Sequence, residues 1–466
     1  MKGIRCLATV GFVVLLPTLA AAQLPSLEPR APSPAFQATS HEPPATSHEP
    51  PATSVTLDEA ISRGLAVSHR LAEAAARGEA AGAVAAERHA ALLPQIAGQA
   101  GYTRTNHVDE FGILLPNNQI KIIYPDVPDN YRARLDLQWP IYTAGRLDAL
   151  ERAARTEAAA SGDDLAAARA DLRLEITRAY WALVTAAESV HVVDESVTRV
   201  AAHLRDVRNQ LNAGLVPPND VLSVEAQESR QRMLSIQAHA TRDVAEAELG
   251  RLIGAEPGTA IQPASPLDAP APESVAIATL IATARQQRAE HAALIKREKA
   301  ADERKAAAAA GRKPTIAVGG GIDYARPNPR IFPREAAWRE SWDASVNVNW
   351  PLFDGGRTRA EVAEATAMAR AASERLAEFD TALAVEVRQR LSELESSRAA
   401  IDAATDGVRA AAEASRVVGD RFNAGVATST DRLDAHVARL QADLDRTQAL
   451  ANARLAEARL ARALGK

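Results

Sequence analysis

Polar and apolar residues alternate without a break over Trp342-Asp-Ala-Ser-Val-Asn-Val-Asn-Trp350. Side chains leave a strand on alternate sides, so Trp342, Ala344, Val346, Val348 and Trp350 share one face. Asp343, Ser345, Asn347 and Asn349 share the other. Residues 131–139 read the same way, with Tyr131, Ala133, Leu135, Leu137 and Trp139 opposed to Arg132, Arg134, Asp136 and Gln138. Fainter strands are expected before each, over 96–103 and 315–324. The period then changes. From Ala144 to Asn212 no proline intervenes, and two apolar series recur every seven residues. One is Ile176, Leu183, Val190, Val197, Leu204 and Leu211; the other is Leu172, Ala179, Ala186, Val193, Val200 and Val207. Interleaved, they form the a/d seam of a coiled coil, on a helix over 144–212 about 100 Å long. A second long helix is expected over 355–422, with Val387, Leu394, Ile401, Val408 and Phe422 in step. Shorter helices are expected at about 57–92, 219–253, 274–310 and 429–464.

These elements come in duplicate. Trp139-Pro-Ile-Tyr-Thr-Ala-Gly-Arg146 returns 211 residues later as Trp350-Pro-Leu-Phe-Asp-Gly-Gly-Arg357. The same offset carries Asn212-Ala-Gly214 onto Asn423-Ala-Gly425. A constant offset over this distance marks an internal duplication, with one repeat over 55–265 and another over 266–466. Between the paired strands lie loops rich in proline and asparagine, the first longer than the second.

Residues 1–22 read as an export signal: Lys2 and Arg5, an apolar stretch from Cys6 to Leu19, and the small-residue site Ala20-Ala-Ala22. Its removal takes away the single cysteine, which excludes disulfides, thiolate metal sites and a cysteine nucleophile. Residues 23–54, where His41-Glu-Pro-Pro-Ala-Thr-Ser47 is repeated at 48–54, read as a Pro-rich disordered tether. The net charge of −5 gives no footprint for nucleic acid. After the signal, no segment is long and apolar enough for a membrane helix, so a membrane crossing would have to be a closed β-barrel. An ordinary sheet with one wet face alternates too. The export signal and the aromatics closing each apolar face favour the barrel. In both strands those aromatics stand eight residues apart. That is about 27 Å of strand, or about 20 Å once tilted, near the ~25 Å apolar band of outer-membrane barrels. Tyr131, Trp139, Trp342 and Trp350 are the expected girdle.

Pro140 and Pro351, which have no N–H to donate, are expected to end the strands. Gly145 and Gly355-Gly356 then permit the turn into helix. At the far ends Gly214 and Gly425 are placed to reverse the chain in a left-handed conformation. Asn212, Gly214, Leu215, Asn423, Gly425 and Val426 form the two turns. Asp431 and Asp434, three residues apart, share one helix face. The plain alternative is that Asp431 caps the helix and both acids meet its N-terminal dipole. Asp220 is the duplicate of Asp431, whereas Asp434 corresponds to Ser223. Arg208, Arg421 and Arg432 are candidate latch cations, with Arg432 placed either to point outward to a partner or to pair with Asp220 or Asp431 and hold the tip shut. The ten histidines show no ligand spacing and no nucleophile triad stands out, so no enzyme, cofactor or metal centre is expected. Met233 and Met368 alone give no thioether relay for soft metals.

In these duplicated motifs the chain resembles the outer membrane efflux protein family, the TolC-like exit ducts of Gram-negative bacteria. The resemblance covers about residues 55–466. Four strands cannot close a barrel, and sequence alone allows two chains or three. The resemblance implies a homotrimer: a twelve-stranded outer-membrane barrel on a helical tunnel through the periplasm. It also implies docking of the tip turns to a periplasmic adaptor fed by an inner-membrane pump. Asp431 and Asp434 match the family positions whose carboxylates ring the periplasmic aperture. Small toxic compounds are the expected cargo. A duct for secreted polypeptides and a periplasmic coiled-coil scaffold are the alternatives.

Overall fold

The computed structural model describes residues 53–270 and 276–466. The export signal and the tether lie outside the described residues, apart from Thr53 and Ser54, which belong to a strand. The first copy runs β1 (Thr53–Val55), α1 (Leu57–Val67), α2 (His69–Ala90), β2 (Gln95–Arg104), β3 (Phe111–Leu114), β4 (Ile120–Tyr124), β5 (Asp129–Tyr142), α3 (Arg146–Asn212), α4 (Pro218–Ile253) and β6 (Ile261–Pro263). The second runs α5 (Ile277–Gln287), α6 (Ala289–Ala309), β7 (Thr315–Arg326), β8 (Arg339–Asn349), α7 (Arg357–Asn423) and α8 (Ser429–Ala463).

The four long strands form one antiparallel sheet in the order β2-β5-β7-β8. Its register keeps like with like. Ile96 faces Leu137, Leu135 faces Ile322, and Ile322 faces Trp342. One side of the sheet is therefore apolar across all four strands, and the other carries Arg132, Arg134, Asp136, Asp323 and Asp343. The apolar side is open: Ile96 is 74% exposed and Trp342 76%. Two details differ from expectation. Pro140 does not end its strand but stays opposite Ala317, and the register slips between Pro140 and Tyr142. The ring removes a donor while leaving the carbonyl free to accept, so a bulge absorbs the loss. The loop after β2 also holds a hairpin of its own, β3-β4.

Each long helix has 67 residues, about 100 Å at 1.5 Å per residue. Along α3 the seam is buried at Leu172, Ile176, Leu183, Val200, Leu204 and Val207. Along α7 Val387, Leu394, Ile401 and Phe422 are buried. The helices expected over 57–92 and 274–310 are each two. Ser68 and Arg288 adopt extended backbone and split them. The ends of the opposite hairpin arms pack against these breaks. Gly254 (φ 69°) ends α4 beside Val67, and Gly465 (φ 85°) follows α8 beside Gln287. A Cβ on Gly465 would stand 2.6 Å from the Gln287 carbonyl carbon, so only glycine fits both the dihedral and the gap. Beside the first break lies the main core, where Ile176, Tyr180, Leu183 and Leu249 pack with Val55 and Ile261. The Tyr180 hydroxyl donates to the Val55 carbonyl (3.1 Å) and accepts from the Ser265 amide (2.9 Å), clamping the short parallel pair β1-β6 to α3.

Candidate functional site

The functional features lie at the two ends of the helices. Where the sheet meets the helices, Trp139 donates its indole N–H to the Leu92 carbonyl (3.3 Å) and Trp350 donates to that of Arg312 (3.2 Å). Each tryptophan thus anchors the strand exit to the strand entry of its own copy, with the ring half out, as suits a membrane interface. At the other end of the strands Tyr131 packs on Tyr102 (ring centroids 5.0 Å) and on Trp338 (5.9 Å), which stacks on Tyr324 (4.9 Å). Trp338, outside any alternating segment, is a member of this aromatic cluster that sequence reasoning missed.

At the opposite ends α3 and α7 close with the same motif. Gly214 (φ 72°) bonds back to the Leu211 carbonyl and Leu215 to that of Gln210; Gly425 (φ 74°) bonds to Phe422 and Val426 to Arg421. This paired pattern is a Schellman cap, satisfying carbonyls that the helix leaves unpaired. It turns Leu215 and Val426 outward, 75% and 63% exposed, with Asn212 and Asn423 exposed beside them.

Asp431 is the third residue of α8 and completes a capping box with the N-cap Thr428. Its carboxylate accepts from the Thr428 amide (2.8 Å) and hydroxyl (2.7 Å), and its own amide donates to Thr428 Oγ1 (3.1 Å). Those bonds, helped by Arg421, hold the Asp431 carboxyl below the usual range. Asp434 is exposed and has no hydrogen-bond or ion-pair partner among the described residues. Asp220 is half-buried and accepts from Asn219 (3.1 Å). The three candidate latch cations divide. Arg208 pairs with Glu225 inside the first hairpin (2.7 Å). Arg421 acts on Asp431 only through space. Arg432 reaches neither Asp220 nor Asp431. It lies 3.4 Å from Asp206 on α3 and over the Phe422 ring at 5.0 Å, joining the two copies. Proximity in sequence favoured the adjacent acids, but one turn of α8 points the guanidinium across the helix contact instead.

Beneath that contact sits a pair of histidines. His203 is fully buried. Its Nε2 lies 3.0 Å from Ser429 Oγ, its ring meets Phe422 edge-on at 5.2 Å, and His436 stands 6.2 Å away. Burial, with Arg432 adjoining, pushes both histidines down to about 4. They lie far apart in sequence, and no local spacing could have paired them. Among the described residues no cluster of His, Cys, Asp or Glu could hold a metal.

An open four-stranded sheet with one lipid-suited face, set on paired helices of about 100 Å, defines a membrane-anchored channel protein whose helical part projects away from the bilayer. The chain belongs to the outer membrane efflux protein family, whose signature matches residues 60–255 and 280–466. It is 27% identical to protein CyaE of Bordetella pertussis over 82% of this chain and 78% of that protein. It is 24% identical to outer membrane protein TolC of Vibrio cholerae over 78% and 80%. The solved outer membrane protein VceC of Vibrio cholerae shares the fold, with a TM-score of 0.73 at 21% identity over 88% of this chain and 96% of that one. The protein is thus an outer-membrane efflux channel with a large periplasmic helical part, and not an enzyme.

Proposed function

We propose that the protein is the exit duct of a tripartite efflux system, passing small toxic compounds from a periplasmic adaptor and an inner-membrane pump to the outside. The observation that carries this reading is the tip. Two copies of one cap present Leu215 and Val426 to solvent on otherwise rigid helix ends, a small apolar surface suited to another helical hairpin. A homotrimer is what the family resemblance implies, and the sheet accords with closure between copies. Both edges, at β2 and β8, are unpaired among the described residues, a hazard that closure removes. Four strands are too few for a barrel, and three copies give twelve. Leu222, Ile236 and Val244 on α4 are also exposed, as expected of helices that pack against another protomer.

Within this duct Asp431 and Asp434 ring the periplasmic aperture, and Asp434 carries more of the ion preference because none of the described residues pairs with it. Rings of carboxylates at a narrow opening favour cations. Planar-bilayer recordings of wild type beside Asp431→Asn/Asp434→Asn test this. Cation-selective steps that lose selectivity in the variant are expected, and steps of unchanged selectivity would remove the ring. In cells, Gly214→Asp and Gly425→Asp are expected to abolish efflux at unchanged protein level. Retained drug resistance would overturn the docking role.

A further inference from the structure

The polar face of the sheet carries a group of arginines that the aperture and docking roles do not use. Near the outer ends of the strands, Arg132, Arg134 and Arg334 line a cavity of about 320 Å³ together with Gln99, Thr103 and Asn130, and no carboxylate lines it. The acids lie to one side. Asp323 is buried and takes Arg132 in a two-point contact (2.6 and 3.1 Å). Arg134 is held among Asp136, Asp323 and Asp343. It crosses β7 at Gly321, where a Cβ would come within 2.5 Å of its Nη2. That glycine opens the lane for the guanidinium, which gives Gly321 a physical reason.

Arg334, on the loop after β7, differs from the other two. Its partners are neutral: the Tyr124 hydroxyl (2.6 Å) and Asn130 Oδ1 (3.4 Å), with the Tyr124 ring beneath at 4.9 Å. It makes no ion pair among the described residues, and its Nε is buried without an acceptor. A cation oriented by neutral groups, with a covered donor left over, can satisfy that donor by taking an anion. We propose that this cavity is an anion-binding station at the outer end of the duct. It takes the carboxylate or sulfonate group of an exiting compound, with Arg334 as its anchor and Arg132 and Arg134 contributing field. The inference rests on the channel reading, in which the polar face lines the lumen. It gives the pathway opposite charge at its two ends, anionic at the tip and cationic near the mouth.

The test is block of single-channel current by benzene-1,3,5-tricarboxylate added from the side of the extracellular loops. In wild type, block is expected at lower concentration from that side than from the helical tip. Arg132→Gln/Arg334→Gln is expected to weaken it about tenfold, whereas Arg132→Lys/Arg334→Lys retains most of it. Should the Gln pair fail to assemble, the sidedness of wild-type block and the Lys pair still decide. Conducting steps with no block, block equal from both sides, or block unchanged in the Gln pair would each overturn the station while leaving the channel intact. Absence of conducting steps in wild type would overturn the channel reading and the station with it.

Discussion

Acidification should loosen the tip through His203. Burial, the largest cause, brings its imidazole to about 4; Arg432 and His436 add repulsion, and Asp206 and the hydrogen bond at Ser429 oppose them. When the tip opens, the ring is hydrated and titrates near its ordinary 6.5. Between those values the open form holds a proton that the closed form lacks. Closure is therefore fully favoured above about 6.5 and loses ground as the pH falls towards 4. At pH 5 the linkage amounts to roughly 2 kcal/mol for this one group, against a few tenths at pH 7. His436 faces Arg432, Arg199 and Arg439 and is also held at about 4. It adds to the effect, though two protons 6.2 Å apart would not act independently.

The assay is amide hydrogen exchange over 196–225 and 420–440, corrected for the intrinsic pH dependence. For His203 alone, opening free energy should fall by a little under about 2 kcal/mol from pH 7 to 5, or about 20-fold in protection. His203→Gln keeps a side-chain amide for Ser429 but cannot titrate, so its share of the response should vanish and the His436 share remain; His203→Gln/His436→Gln should abolish the response. A His203→Gln variant that retains the whole wild-type response would refute the assignment to His203, and a wild type without pH response would refute the buried-pair mechanism itself.

Two further predictions concern single positions. Gly465→Ala is expected to cost about 1–3 kcal/mol, because the new Cβ meets the Gln287 backbone at 2.6 Å and φ is 85°. Gly419→Ala in α7, where nothing lies within 4 Å, should instead add up to about 1 kcal/mol. Thermal unfolding of the two variants moving in the same direction would contradict this. Thr428→Ala is expected to cost about 1 kcal/mol at the start of α8, seen as faster exchange in its first turn. Channel selectivity should stay unchanged, since the carboxylates remain. A shift in reversal potential would mean that the cap, rather than the charge, sets the ion preference.

How far the chain could be read in advance depended on whether the cause was local. The strands around Trp139 and Trp350 were legible because one face meets lipid-like surroundings and the other does not, which imposes a period of two. The long helices were legible because their seam repeats every seven residues, and Gly214 and Gly425 because a left-handed turn leaves few choices. The β3-β4 hairpin was missed although Phe111–Leu114 and Ile120–Tyr124 are apolar runs flanking a turn at Asn118 (φ 61°), a hairpin signal obscured by the surrounding prolines and asparagines. The break at Ser68 had a weak signal, its side chain accepting from the Leu71 amide as an N-cap. That at Arg288 had none.

The unreadable features share one origin, which is also where function is set. Arg288 turns the chain because Glu386, far along α7, takes its guanidinium at 2.6 Å while Gly465 closes on the preceding peptide. Arg432 crosses to Asp206, and His203 meets His436, only because the duplicated hairpins lie side by side. Duplication made the two copies equivalent in backbone, and the differences between them carry the chemistry. Thr428 and Asp431 form a capping box where Pro217 and Asp220 make no side-chain cap. Asp434 adds a charge where the first copy has Ser223. A tip built from two identical hairpins would have no preferred seam. Here one arm carries Asp431 and Asp434 and the other receives Arg432 at Asp206, so the contact between copies is expected to open on adding a proton without unfolding either hairpin.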